Sequence, residues 1–248
     1  MAAILLSLLV LSMPTSAYAF VASSRHPTSH YSISVASSNE VDLSNDELYT
    51  KSFQIIDTCA TSGQPTEDLF DSVRYIDKNS FKLYRQSSSK QQLWDRCKGS
   101  WKLQLATGPP SSKQQPKFKP VPIFAFAVID EENFGNGIGF NGDNIILSLL
   151  GKHYFNEKKR QMGIGIDDIY IFSSNVSQFL PNFIADGMGL GKEPEDFKGG
   201  SKMPAFTMIG ASDKAMIARG GSGGIAIWTK LEKDIRPAAY GNDIHNGY

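Results

Sequence analysis

Apolar residues recur at helical spacing in two stretches ahead of residue 80 and at strand spacing through most of the chain beyond residue 99. Leu48, Ile55, Ile56 and Cys59 fall on one face of a helix predicted from about Ser44 to Ala60. Ser44-x-x-Glu47 supplies a capping box, Asp46 and Glu47 sit at the positive end of the helix dipole, and Gly63 ends the element. Pro65 opens a second helix, with Glu67 and Asp68 in its first turn and Leu69, Val73 and Ile76 forming one apolar stripe. Both helices are expected to cover one end or edge of a sheet. Phe81 to Lys98 carries two conflicting signals: Phe81-Lys82-Leu83-Tyr84 alternates like a strand, and Lys90 to Cys97 has room for a helical turn or two. No element is assigned there.

From Gly99 the texture changes to short strands and turns. Trp101 to Ala106 is a strand, and Pro109-Pro110 through Pro122 is a long exposed loop whose prolines exclude a central strand. Ile123 to Ile129 is apolar on both faces, which fits a central strand or one touching a ligand. Asn133 to Asn141 sets Gly135, Gly137 and Gly139 around Phe134, Ile138 and Phe140. Ile145 to Leu150, Tyr154 to Gln161 and Ile164 to Phe172 continue at the roughly 8–12-residue spacing of a barrel or sandwich. Phe179 to Pro204 interrupts the pattern with aromatic, Gly-rich and charged sequence. Phe206 to Gly210, Ala215 to Ala218 and Ile225 to Thr229 are the closing strands.

The expected fold is therefore mainly β with N-terminal helices (α+β). A helical region, 41–98, precedes a β-barrel domain, 99–235, with an insertion at 179–204 and a frayed tail at 236–248. A barrel needs its first and last strands to meet. Gly99 can turn the chain before Trp101 closes the floor, and Arg219-Gly220 near the other end can lay a guanidinium over the indole. The plainer alternative makes Trp101 a core aromatic and Arg219 a solvated strand-end charge.

Charge narrows the field. Lys+Arg and Asp+Glu stand at 25 each among 248 residues, so no long-range field recruits nucleic acid or an anionic membrane. The only cysteines, Cys59 and Cys97, are too few for a zinc site; they form one disulfide in an oxidising compartment or two thiols in a reducing one. Ala2 to Leu11, broken only by Ser7, is too short for a span of about 20 residues but suits a signal peptide (1–19) cleaved after Ala17-Tyr18-Ala19. Residues 20–40 are Ser-rich and reach their first acid at Glu40, like a transit peptide. With Phe20 at the junction, the leader is similar to the bipartite targeting sequence of algae with secondary plastids. That implies the plastid, at the stroma, thylakoid or lipid-globule surface; the alternative is plain secretion with a Ser-rich linker.

Catalytic motifs fail on their chemistry. Gly187 to Lys192 resembles a phosphate loop but has Asp186 where Gly belongs and Glu193 where Ser or Thr belongs. Gly135-Asn136-Gly137-Ile138-Gly139 lacks the last spacing of a dinucleotide fingerprint. His153 is the one histidine of the body, so neither a triad nor a two-histidine metal site can be assembled. Asp130-Glu131-Glu132 and Asp167-Asp168 are expected to be solvated turns, and Arg219 to Gly224 a flexible hairpin in preference to an anion cradle. No catalytic residue, metal or cofactor is expected.

Three features together resemble one family: the N-terminal helices, the Gly99-x-Trp101-x-Leu103 strand followed by Ala106-Thr107-Gly108, and the run Asp213-x-x-Met216-x-Ala218-Arg219-Gly220-x-x-Gly223 leading into an apolar strand. They are similar to the plastid lipid-associated proteins, or fibrillins. The chain departs from that pattern at Gln104 to Gly108, where the family carries aromatic-Thr-Ser, and at Lys214 to Ile217, which lacks the first Arg. The resemblance implies a lipocalin-like antiparallel barrel, an apolar lipid or prenylquinone as ligand, association with thylakoids or lipid globules, roles in photoprotection or lipid movement, and no catalysis. Pocket residues are expected to be Phe124 and Phe126, or Ala125 and Ala127 on the opposite face, with Ile138, Phe140, Ile146 and Leu149 beyond. The alternative is a barrel packed solid.

Two further classes stand beside lipid carriage. A lipid- or isoprenoid-modifying enzyme would show a carboxylate such as Asp130 or Asp168 with a raised pKa in a cavity. A plastid interaction or assembly factor would dock a protein partner through Phe179-Leu180-Pro181-Asn182-Phe183-Ile184. An open cavity against Phe124 and Phe126 would favour the carrier; exposed Phe179 and Phe183 on a solid barrel would favour the docking protein.

Overall fold

The computed structural model describes residues 45–83, 93–109, 116–141, 144–183, 185, 190–192 and 205–235. The expected leader, the Ser44 cap, the C-terminal tail and most of the 179–204 insertion lie outside them. Helix α1 spans Asn45–Ser62 and α2 spans Leu69–Leu83. Gly63 takes φ +70° and its N–H donates to Cys59 O at 2.9 Å, which ends α1 as its position predicts. Residues 93–97 are also helical.

Eleven strands follow: β1 (Gly99–Ala106), β2 (Lys119–Pro120), β3 (Phe124–Ile129), β4 (Asn133–Gly139), β5 (Ile145–Asn156), β6 (Gln161–Ile164), β7 (Asp168–Ile171), β8 (Ser174–Asn175), β9 (Ala205–Ala211), β10 (Ala215–Arg219) and β11 (Ile225–Lys230). Eight of them close a ring in the order β1-β3-β4-β5-β6-β9-β10-β11 and back to β1, every pairing antiparallel. This is the expected lipocalin-like barrel, and its neighbours in space are neighbours in sequence. The seam is β1 against β11, in register Trp101↔Lys230 and Leu103↔Trp228. Residues 153–156 of β5 pair with β6 and residues 147–150 with β7, so the β7–β8 hairpin flares away from the ring.

Several boundaries differ from expectation. The segment expected at 145–150 and the start of the one expected at 154–161 are one 12-residue strand, because Gly151 lets the chain at Gly165 and Asp167 cross against its backbone, while residues 157–160 form a turn and Gln161 opens β6. Ile164 to Phe172 splits between β6 and β7 at that crossing. The Pro-rich loop returns to the sheet at β2, beside Leu105 and Ala106, and buries Phe118.

The sheet separates two cores. Inside the ring, Trp101, Phe134, Met162, Met208, Met216 and Trp228 belong to one apolar cluster. Outside, α1 and α2 press Ile56, Cys59, Leu69, Val73 and Ile76 onto Ile209, Ile217 and Ile227. The stripe Leu69, Val73, Ile76 is fully buried, as its spacing predicts. Cys59 and Cys97 are buried, unpaired thiols, and burial pushes the Cys97 thiol up to about 12. A salt-bridged clasp also holds α2 to the ring: Asp77 accepts from Arg219 of β10, and Arg160, in the β5–β6 turn at φ +53°, donates to Ser80.

Candidate functional site

Strand alternation decides what the barrel interior offers. On β3 and β4 the pairs Ala125↔Ile138, Ala127↔Asn136 and Ile129↔Phe134 share one face, and Ala127, Ile129 and Phe134 belong to the interior cluster. Phe124, Phe126 and Val128 therefore point outward, each opposite a glycine: Gly139, Gly137 and Gly135. The expectation that Phe124 and Phe126 line the pocket is corrected in favour of the opposite, alanine face. Phe126 is nonetheless buried, because its ring lies across Gly137 where any Cβ would collide with it and with the Leu147 carbonyl. The glycine run of β4 thus accommodates an aromatic on the outer wall.

The remaining expected pocket residues divide. Leu149 packs against the interior cluster, and Ile138 is half-buried on the inward face. Ile146 is the extra residue of a β-bulge, between Ile138↔Leu147 and Gly139↔Ile145, and stands outside both cores. Phe140 lies past the end of β4 and is exposed, so it lines nothing.

Among the described residues the interior holds a cavity of about 20 Å³, room for roughly one water. Ala127, Phe206, Met162, Met208, Met216 and Trp228 are among the residues around it, with Asn136 as the polar group. The sequence reading did not single out these methionines. Their signal was their alternation in β6, β9 and β10, masked because outward neighbours such as Ile209 and Ile217 are apolar too.

The seam forms as expected, with a different cation. Trp101 is fully buried, its Nε1–H donates to Cys97 O at 2.8 Å, and Gly99 takes φ +119°. Lys230, not Arg219, stands over the indole, its Nζ 5.3 Å from the ring centroid. Arg219 shares the outward face of β10 with Ala215 and Ile217, so alternation sends it to Asp77 of α2. Gly220 N–H donates to Gly224 O and Gly223, at φ +88°, donates to Gly220 O, closing the hairpin.

The acidic pairs cap turns. Asp130 Oδ1 accepts from the amides of Glu132 at 2.9 Å and Asn133 at 2.6 Å, and Asp168 Oδ1 accepts from Asn175 Nδ2 at 2.7 Å. His153 Nε2 lies 2.9 Å from Asp130 O, with its ring edge-on to Trp94.

A carboxyl with a raised pKa does occur, outside the cavity. Asp57 of α1 is raised by desolvation, although Ser212 Oγ donates to it at 2.6 Å. Native protein then holds more protons than unfolded chain between the ordinary value, 3.8, and the raised one. Stability should fall as pH rises through that window. Asp57→Asn, which keeps the acceptor for Ser212, is expected to flatten that slope and stabilise the neutral protein, read from denaturation midpoints between about pH 4 and 7.

The exposed aromatics are on the other side of the wall. Phe140, Phe172, Phe179 and Phe183 are 80%, 61%, 74% and 77% exposed. Phe179 and Phe183 belong to the predicted docking segment, whereas the sequence reading passed over Phe172 because it continues an apolar strand.

No protein-family model matches the sequence, and no curated protein matches it. Among solved structures, the chain is similar to a lipocalin-like protein from Bacteroides uniformis ATCC 8492, at 13% identity and TM-score 0.32, covering 54% of this chain and 97% of that one. It is also similar to an uncharacterized protein from Bacteroides eggerthii DSM 20697, at 15% identity and TM-score 0.35, covering 54% and 98%.

Proposed function

We propose that this is a non-catalytic plastid protein, a divergent relative of the plastid lipid-associated proteins, that binds an apolar partner on the outside of a filled barrel. The observation that carries this reading is the combination of an interior cavity of only about 20 Å³ among the described residues with Phe179 and Phe183 exposed. A lipid or prenylquinone tail needs a pocket of hundreds of Å³. Four exposed phenylalanines among the described residues are a cost for a surface that touches only water. The leader supports a plastid setting, at the thylakoid or lipid-globule surface.

A second reading draws on the methionines. Met162, Met208 and Met216 are unbranched and repack readily, so a slender prenyl chain could displace them with its polar end at Asn136. Native mass spectrometry after incubation with a plastid lipid extract separates the two. A bare protein mass across the extract is the expected result. A discrete lipid adduct lost on Ala127→Asp, with the fold retained by circular dichroism, would overturn external binding in favour of carriage.

A further inference from the structure

The chain holds one Asn-x-Ser/Thr triplet, Asn175-Val176-Ser177; no other asparagine is followed two positions on by a hydroxyl residue. That spacing, with any residue but proline between, is the acceptor signal for N-linked glycosylation. A triplet this short also arises by chance, and what distinguishes this one is its place in the fold.

Asn175 ends β8, the outermost strand of the sheet, which pairs with β7 alone among the described residues. It is exposed, and so are Ser173, Ser174 and Gln178 around it, so a bulky solvated group attached there enters water without displacing either core. Pairing with Tyr170 sets its side chain on the hairpin face that Tyr170 shares with Asp168. On that face Asn175 Nδ2 donates to Asp168 Oδ1 at 2.7 Å and lies 3.4 Å from Tyr170 Oη, while Asn175 Oδ1 accepts from the Ser177 amide at 2.9 Å.

The linkage is compatible with these contacts. An N-linked sugar replaces one of the two hydrogens on Nδ2 and leaves Oδ1 an acceptor. One N–H suffices for the Asp168 bond, Oδ1 keeps the Ser177 amide, and only the long contact with the Tyr170 hydroxyl is given up. Ser177 Oγ, the other group of the triplet, accepts from the Ile169 amide at 2.8 Å. Both acceptor groups are thus engaged once the hairpin closes, so the modification belongs to the emerging chain, before β7 and β8 pair.

Resting on the signal peptide read at residues 1–19, which both targeting readings share and which sends the chain into the endoplasmic reticulum, we propose that Asn175 carries an N-linked glycan. The donor is a polyprenyl-diphosphate-linked oligosaccharide. Asn175 Nδ2 forms a bond to the sugar C1 as the C1–O bond breaks, diphosphate leaves with that electron pair, and Nδ2 loses one proton. On the folded protein the glycan covers the free edge of β8 and keeps a further strand from adding there.

Translation of the full chain in the presence of endoplasmic-reticulum microsomes tests this. The expected product is protected from added protease, migrates slowly, and regains mobility with endoglycosidase H. Asn175→Gln and Ser177→Ala should each abolish the slow species, and Ser177→Thr should keep it. Asn182→Gln, a nearby exposed amide outside any triplet, should change nothing.

A protected chain that never shifts would overturn the site and leave the leader standing. A chain that stays outside the microsomes, unprotected and unshifted, would overturn the inference through its premise and remove the leader's support for a plastid setting. A shift that survives Asn175→Gln would place the sugar elsewhere and overturn the assignment.

Discussion

Replacing Trp101 by alanine should cost about 3–5 kcal/mol of folding stability, the largest loss expected from any single side chain of the barrel. The ring is fully buried in the interior cluster, and its strand holds the seam from both sides, pairing with Ala127 of β3 and Lys230 of β11. Truncation removes the apolar contact, leaves the Cys97 carbonyl without the indole N–H at 2.8 Å, and strips Lys230 of the ring beneath it. Trp101→Phe should recover more than half of the loss, because it restores volume but not the donor. Lys230→Ala should cost under about 1 kcal/mol, since its ammonium keeps water. Denaturant midpoints at constant slope measure all three. A loss below about 1 kcal/mol for Trp101→Ala would mean that the methionines flow into the space and that the floor is not fixed by this ring.

How far the fold could be read from the sequence depended on whether a segment had one apolar face or two. The helices had one. Leu69, Val73 and Ile76 declared their buried stripe and α1 lies close to its expected span, whereas α2 begins at Leu69 and not at Pro65, so Glu67 and Asp68 precede the helix and Asp71 is the acid of its first turn. The seam was also legible, because Gly99 and Trp101 are residue types with few other uses in such a strand. Segment 123–129 was not, because Ala125 and Ala127 alternate with Phe124 and Phe126 and the larger side chains look like the inner ones. The structure inverts that reading through β4, where Gly137 leaves room for the Phe126 ring on the outer wall. Pairing partners across a sheet are not visible from one strand.

Arg219 failed for the related reason that the outer face of β10 is covered by helices. Ile217 and Ala215 are as apolar as the inward Met216 and Ala218, so periodicity alone could not tell which way the guanidinium pointed. The pocket was misplaced because apolar content measures burial and not emptiness. The same side chains that would greet a lipid, Phe134, Phe206 and Trp228 among them, fill the barrel themselves. The exposed rings were half legible: Phe179 and Phe183 stood out beside Pro181, whereas Phe172 is the last apolar residue of a strand and gave no warning.

The second large effect is expected at Asp77, where the helices are fastened to the barrel. Its carboxylate pairs with Arg219 and stands 4.0 Å from Arg160 Nη2, while Arg160 Nη1 donates to Ser80 and reaches the Met208 and Ile209 carbonyls at 3.4 and 3.5 Å. Those carbonyls sit where the β9–β10 register slips between Ile217 and Ala218, so Arg160 serves acceptors that the ladder leaves at a bulge. Asp77→Ala removes the carboxylate that Arg160 and Arg219 share and should cost about 3 kcal/mol. Arg219→Ala should cost only about 1 kcal/mol, because a third of that side chain is already in water. The pair Asp77→Leu with Arg160→Met, apolar and of similar volume, should be more stable than Asp77→Ala alone, since it replaces both charges by apolar contact. A double variant no better than the single would show that Arg160 is held by the bulge carbonyls and Ser80, and that the carboxylate of α2 is dispensable to it.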